Sequence, residues 1–270
     1  MRKSKIFCFV IGLIQCMAII AYSQNPRSTS PDRLTEDSFV TLTDGEVTVS
    51  INSYGQAGRT LDCDGFGDGF KVGTETSVLC QHMDFLFYEG SVKPITEVDC
   101  QVINPIFRDA PSHATSAVNC GGCIVGFDQT VSGAEGRWTT QVTISGCAAQ
   151  CYYTYTDYDV LTTRNNDGSW QLDQGGFLGQ YVVRNNSTNP DVHFLFTDAS
   201  GAAHWFQAEY SLVRDTLAGF VSCADLDDTR PLLQNADWTA AFQYNLGSRL
   251  PEGGITISYS HGRNDAVPYP

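Results

Sequence analysis

From Val47 onward the chain alternates between apolar and polar residues with a period of two. Val47, Val49 and Ile51 fall on one face of the first clear strand, with Thr48 and Ser50 on the other. The same habit returns at residues 85–88, 95–103 and 124–131. Trp138, Thr140, Val142 and Ile144 alternate with polar partners, and residues 152–160 are rich in β-formers. Further strands are predicted over 177–184, 192–197, 204–213, 218–223, 238–246 and 255–260. Turn signals separate them, among them Asn166-Asp167-Gly168, Asp198-Ala199-Ser200-Gly201 and Pro251-Glu252-Gly253-Gly254. Long helical periods are missing, and the one short helix expected lies within 227–236. Many short strands at this spacing predict an all-β protein, an antiparallel β-sandwich rather than a helical or α/β fold.

The first residues break this pattern. Arg2, Lys3 and Lys5 precede the apolar run from Ile6 to Ile20, and Ala21-Tyr22-Ser23 follows with small residues at cleavage positions. This reads as a signal peptide over 1–23, with a flexible lead-in over 24–37 rich in Ser, Thr, Pro and charge. The sandwich domain is expected over 38–270. Cysteine density falls after the Asn165–Gly168 region, yet no linker composition divides the chain there.

Charge narrows the partners. The formal net charge is -14, and removal of Arg2, Lys3 and Lys5 would take it to -17. Such a surface repels phosphate backbones, so no nucleic acid is expected, and no second segment has the length of a membrane span. Eight of the ten cysteines lie beyond the signal: Cys63, Cys80, Cys100, Cys120, Cys123, Cys147, Cys151 and Cys223. In a secreted chain, extracellular or periplasmic, they are expected to form disulfides; about a hundred full pairings are open to eight cysteines. Cys120-x₂-Cys123 with Cys147-x₃-Cys151 also has the spacing of a thiolate zinc site, but an oxidising compartment favours disulfides.

Candidate chemistry is sparse. Asp62, Asp64 and Asp68 alternate with glycines in LDCDGFGDGF, a composition that suits a structural Ca²⁺. An EF-hand is excluded, because Phe66 and Gly73 stand where oxygen ligands are required. Asp225, Asp227 and Asp228 form a second acidic run, read as an exposed turn or helix N-terminus with Arg230 beside it. Tyr153 and Tyr155 share one face of their strand, where they could stack on sugar rings. His204-Trp205 near Glu209 is the most site-like grouping of polar and aromatic residues. The five histidines show no metal-ligand spacing, and no nucleophile elbow or phosphate loop occurs. Asn185-Asn186-Ser187-Thr188 holds two overlapping glycosylation sequons.

Several phrases together resemble a pattern in β-sandwich modules of exported bacterial surface proteins. They are Val47–Gly55, Gly65–Phe70, Leu86-Phe87-Tyr88-Glu89-Gly90, Gln180–Ser187, and Phe242–Gly247 followed by Leu250–Ile257. The resemblance implies a sandwich and a bacterial exported setting, and it transfers no catalytic residues. The cysteine content departs from that group. The resulting expectation is a binding protein for an extracellular glycan or a surface protein. The alternatives are a carbohydrate-active lyase or hydrolase on the same scaffold, or a structural, adhesive surface protein.

Overall fold

The computed structural model describes residues 39–58, 70–72, 79–158, 167–174, 177–184, 194–229, 238–247 and 250–263. Asp62, Cys63, Asp64, Asp68 and the sequons at 185–188 lie outside the described residues.

The strands form two antiparallel sheets. In sheet I, β1 (Val40–Asp44), β2 (Val47–Ile51) and β3 (Ala57–Gly58) lead to β5 (Gln81–Tyr88), β11 (Cys151–Asp157), β16 (Trp238–Asn245) and β15 (His204–Glu209) in that spatial order. Two short strands branch from it: β4 (Phe70–Val72) pairs with β2, and β6 (Ser91–Pro94) with β5. Sheet II begins with β12 (Asp167–Gln174), β13 (Phe177–Arg184) and β14 (Phe194–Asp198). It continues through β17 (Ile255–Arg263), β10 (Arg137–Ser145), β9 (Cys123–Ser132), β8 (His113–Cys120) and β7 (Gln101–Ala110). The antiparallel sandwich expected from the alternation is therefore what forms.

The alternation also sets which side chains meet. In β9 every second residue, Val125, Phe127 and Val131 among them, is buried while Asp128 and Thr130 face solvent. Val125 and Phe127 join Leu86, Tyr152 and Phe242 of sheet I in a core between the sheets. A second interior cluster gathers Val49, Phe70, Val131 and Trp138. Three disulfides tie the described strands: Cys100–Cys120, Cys123–Cys147 and Cys151–Cys223. Cys80 is disulfide-bonded as well. Cys120 and Cys123 thus pair with other cysteines, which rules out a shared zinc at that C-x₂-C.

Several elements differ from the sequence expectation. The strand expected over 95–103 begins only at Gln101, after a turn. The stretch 204–213 is not a single strand, and 218–223 is not one either. β15 stops at Glu209, and helix α1 (Tyr210–Ala218) follows at once. Val213 and Leu217, four residues apart, share a helical stripe and are fully buried against the outer face of sheet I. Burial of each contributes about 1.5–3 kcal/mol. Gly219 ends the helix, its N–H donating to Asp215 O at 3.0 Å. This helix lies before the acidic run at 225–228, whereas most of the short helix expected within 227–236 lies outside the described residues.

This helix explains why β11 is buried on both faces. Tyr152 and Thr156 point between the sheets. Tyr153 and Tyr155 point outward, but they lie beneath α1 and the segment after it with Val213, Leu217 and Leu226. Both tyrosines are fully buried. They form a packed layer and offer no face to a sugar ring.

Candidate functional site

The segment after α1 returns across the outer face of sheet I and builds a polar rim there. Three attachments hold it. Cys223 is bonded to Cys151 of β11, and Tyr153 donates its hydroxyl to Ala224 O at 3.0 Å. Leu226 is buried in the outer apolar layer while its N–H donates to Gln243 Oε1 at 2.8 Å. Beyond it the chain runs beside β15, with Asp228 N–H donating to Trp205 O at 3.0 Å and Gln207 N–H to Thr229 O at 3.2 Å.

This path brings carboxylates to His204. In the β15–β16 ladder His204 stands opposite Gln243. His204 Nδ1 lies 2.9 Å from Asp228 Oδ2, and Nε2 lies 3.6 Å from Asp225 Oδ1. Asp228 Oδ1 also accepts from the Trp205 N–H at 2.9 Å. Gln243 Nε2 donates to Asp225 Oδ1 at 3.0 Å and to Asn245 Oδ1 at 2.8 Å. Asp228 has φ +53°, in the left-handed region that aspartate tolerates better than most side chains. Backbone strain of this kind collects at functional sites.

The rim is open. The side chains of His204, Asp225 and Asp228 are 28%, 64% and 45% exposed, and Asn245 is exposed beside them. Each polar group is nevertheless held in position by a neighbour. Such a surface presents fixed acceptors and an imidazole to a ligand that carries hydroxyl groups. Below it, burial and then the nearby Asp225 push the Tyr153 hydroxyl well above its usual value, so Tyr153 stays a neutral donor.

Of the residues expected from sequence to bind a ligand, His204 alone contributes its side chain here, while Asp225 and Asp228 come from the acidic run read as an exposed turn or helix N-terminus. Trp205 turns to the opposite face of β15 and packs, partly buried, on the core between the sheets. Glu209 occupies the other end of β15, roughly 16 Å along the strand, at the N-cap of α1, where it accepts from the Ser211 hydroxyl. Asp225, Asp228, Gln243 and Asn245 were not grouped with His204 by sequence reasoning. The signal that could have found the carboxylates is Cys223, two residues before Asp225, since a disulfide there fixes the run against a strand.

A second polar constellation is sealed inside. His82 and Asp84 of β5 point between the sheets and are fully buried. Tyr259 of β17 donates its hydroxyl to Asp84 Oδ2 at 2.8 Å and lies 3.1 Å from His82 Nε2. His82 Nδ1 is 3.2 Å from Thr156 Oγ1. His261, one step along β17, meets Tyr158 OH at 2.7 Å through Nδ1 and stacks on Trp138. Burial, helped by the neighbouring His82, holds the His261 imidazole well below its ordinary value and therefore neutral. Burial and Asp84 push the Tyr152 and Tyr259 hydroxyls up. This network has titratable groups of catalytic type but no opening, so it acts as a polar spine joining the sheets. Among the described residues no cluster of three or more His, Cys, Asp or Glu has metal-binding geometry.

No protein-family model and no curated protein matches the chain. Solved structures do. A bacterial glucoamylase complexed with acarbose aligns at TM-score 0.50 and 9% identity, over 88% of this chain and 35% of that one. A putative aldose 1-epimerase from Escherichia coli K12 aligns at TM-score 0.37 and 8% identity, over 84% of this chain and 98% of that one. An aldose epimerase homologue from C. elegans aligns at TM-score 0.38 with the same identity and coverages. This chain thus spans about a third of the glucoamylase it resembles, and at such identity the likeness is one of fold: an all-β sandwich of two packed antiparallel sheets.

Proposed function

We propose that this protein is secreted and binds extracellular carbohydrate, without catalysis, at the rim formed by His204, Asp225, Asp228 and Asn245, which the buried Gln243 braces from below. The observation that carries the reading is the pre-organisation of that rim. Its exposed carboxylates and imidazole are fixed by a disulfide, a ladder and a web of side-chain hydrogen bonds before any ligand arrives. Sugar hydroxyls need such acceptors and donors, and prior ordering lowers the entropic cost of binding. The described disulfides suit an oxidising, non-cytoplasmic compartment. No described helix is long and apolar enough to cross a membrane. The fold is shared with part of a glucoamylase whose structure holds acarbose. A structural Ca²⁺ at Asp62, Asp64 and Asp68 belongs to the same reading.

A glycan array followed by titration calorimetry, with calcium and after chelation, tests it. Binding is expected on the array. The double variant Asp225→Asn, Asp228→Asn should weaken it by about tenfold while the melting temperature stays near that of the parent. No glycan bound under either condition would end the carbohydrate reading. Binding unchanged by chelation would end the calcium part alone.

A further inference from the structure

The outer face of sheet II carries an independent constellation. Its edge strand β7 pairs irregularly with β8, with register shifts between Val102 and Asn104, Asn104 and Phe107, and Arg108 and Ala110. Asn104 stands opposite Ala117 and Phe107 opposite Thr115. Pro105 and Ile106 therefore face the single residue Ser116, a bulge of the kind often found beside binding sites. The irregularity opens a depression of about 560 Å³ lined by Asn104, Pro105, Ile106, Phe107, Thr115 and Ser116. The Phe107 side chain is 66% exposed beside it. Ser116, only 6% exposed and paired with the inward Phe127, gives the depression its backbone and turns its side chain to the interior.

From Phe107 the strand register continues in a straight line. Phe107 is opposite Thr115, Thr115 opposite Asp128, Asp128 opposite Gln141, and Gln141 opposite Ser258. Directly paired residues share a face of the sheet, and all five are exposed. The row crosses five strands, and its four strand spacings span roughly 19 Å. Its carboxylate is held in place: Asp128 Oδ1 lies 3.0 Å from His113 Nε2, while His113 Nδ1 lies 2.5 Å from Asp109 Oδ1. An imidazole fixed between two carboxylates orients both of them.

We propose that this row is a second binding track, for a neutral oligosaccharide lying across the strands with one sugar ring stacked on Phe107. The C–H face of a pyranose is apolar and suits an exposed aromatic ring. Its rim hydroxyls find Asn104 and Thr115 at the depression, then Asp128, Gln141 and Ser258 along the row. A length of several strand spacings suits a chain of sugars rather than one ring. Asp109, Asp128 and the formal net charge of -14 select against anionic glycans. The track rests on the carbohydrate reading above but uses the face of the other sheet.

The test is calorimetry of the full chain with cellohexaose, xylohexaose, mannohexaose and maltohexaose, and with oligogalacturonate as the anionic probe. At least one neutral hexasaccharide should bind. Phe107→Ala and Gln141→Ala should each weaken it by about threefold to tenfold, with melting temperatures unchanged because both side chains are exposed. Binding insensitive to both variants but lost with Asp225→Asn, Asp228→Asn overturns the track and leaves the His204 rim standing. Preference for oligogalacturonate also overturns it. Silence with every probe and on the glycan array overturns both.

Discussion

Removal of one hydroxyl from the sealed spine should reveal how strongly that spine holds the sheets together. Tyr259→Phe deletes the donor 2.8 Å from Asp84 Oδ2 and the contact 3.1 Å from His82 Nε2. Asp84 is fully buried, and its Oδ1 already lacks a hydrogen-bond partner. A buried acceptor left unsatisfied costs about 1–3 kcal/mol, and with Asp84 fully enclosed the variant should lose about 3 kcal/mol. For a chain of this size that lowers the melting temperature by roughly 6–12 °C. In an Asp84→Leu background no acceptor remains to be satisfied. The same Tyr259→Phe change should then cost only about 1 kcal/mol, a coupling of ~2 kcal/mol. Urea unfolding at neutral pH with the disulfides intact, read by circular dichroism, measures all four corners of the cycle. Costs that add to within about 0.5 kcal/mol would refute the reasoning, for they would mean that Tyr259 and Asp84 do not sense each other in the folded state.

The same spine sets the pH range of stability. His261 is held below 6.5, so under acid the unfolded chain takes up a proton that the native core refuses, and stability falls as pH drops below 6.5. Tyr152 and Tyr259 are held above 10.0, so the unfolded chain releases protons first and stability falls again as pH rises beyond 10. His113 works the other way, since its hydrogen bond to Asp109 raises its pKa and stabilises the fold below 6.5, fading as pH climbs past the native value. It is part-exposed, and solvent screening leaves the buried groups dominant. A melting temperature that climbs on acidification below pH 6.5 would contradict this order. The double variant Cys151→Ser, Cys223→Ser opens a link between residues 72 apart and should cost about 4 kcal/mol by chain entropy. It should also abolish binding at the His204 rim by freeing the segment that carries Asp225 and Asp228, with chemical denaturation and calorimetry as the readouts.

The candidate rim was visible in the sequence only as fragments. His204 and the acidic run were each noticed, but 21 residues separate His204 from Asp225. The helix between them is hidden because its first turn falls within the strand expected over 204–213, where Leu212 and Val213 fit either period over so short a stretch. Tyr153 and Tyr155 show the opposite limit. Alternation placed them correctly on one face, yet only the packing of α1 made that face interior. His82 and Asp84 sit in phase with the buried Leu86, but they precede the strand expected over 85–88, because polar residues at two successive inward positions break the apolar period. Their partner Tyr259 is more than 170 residues away.

By itself the sequence determined the class of the fold, because period-two alternation is local and survives any arrangement of the strands. It also determined the disulfide chemistry, through the number of cysteines. Tertiary structure decided the rest: which cysteines meet, which apolar face is covered, and which acids converge on His204. Those outcomes depend on strand order and register, and contacts between distant strands leave no mark in the local period of either one.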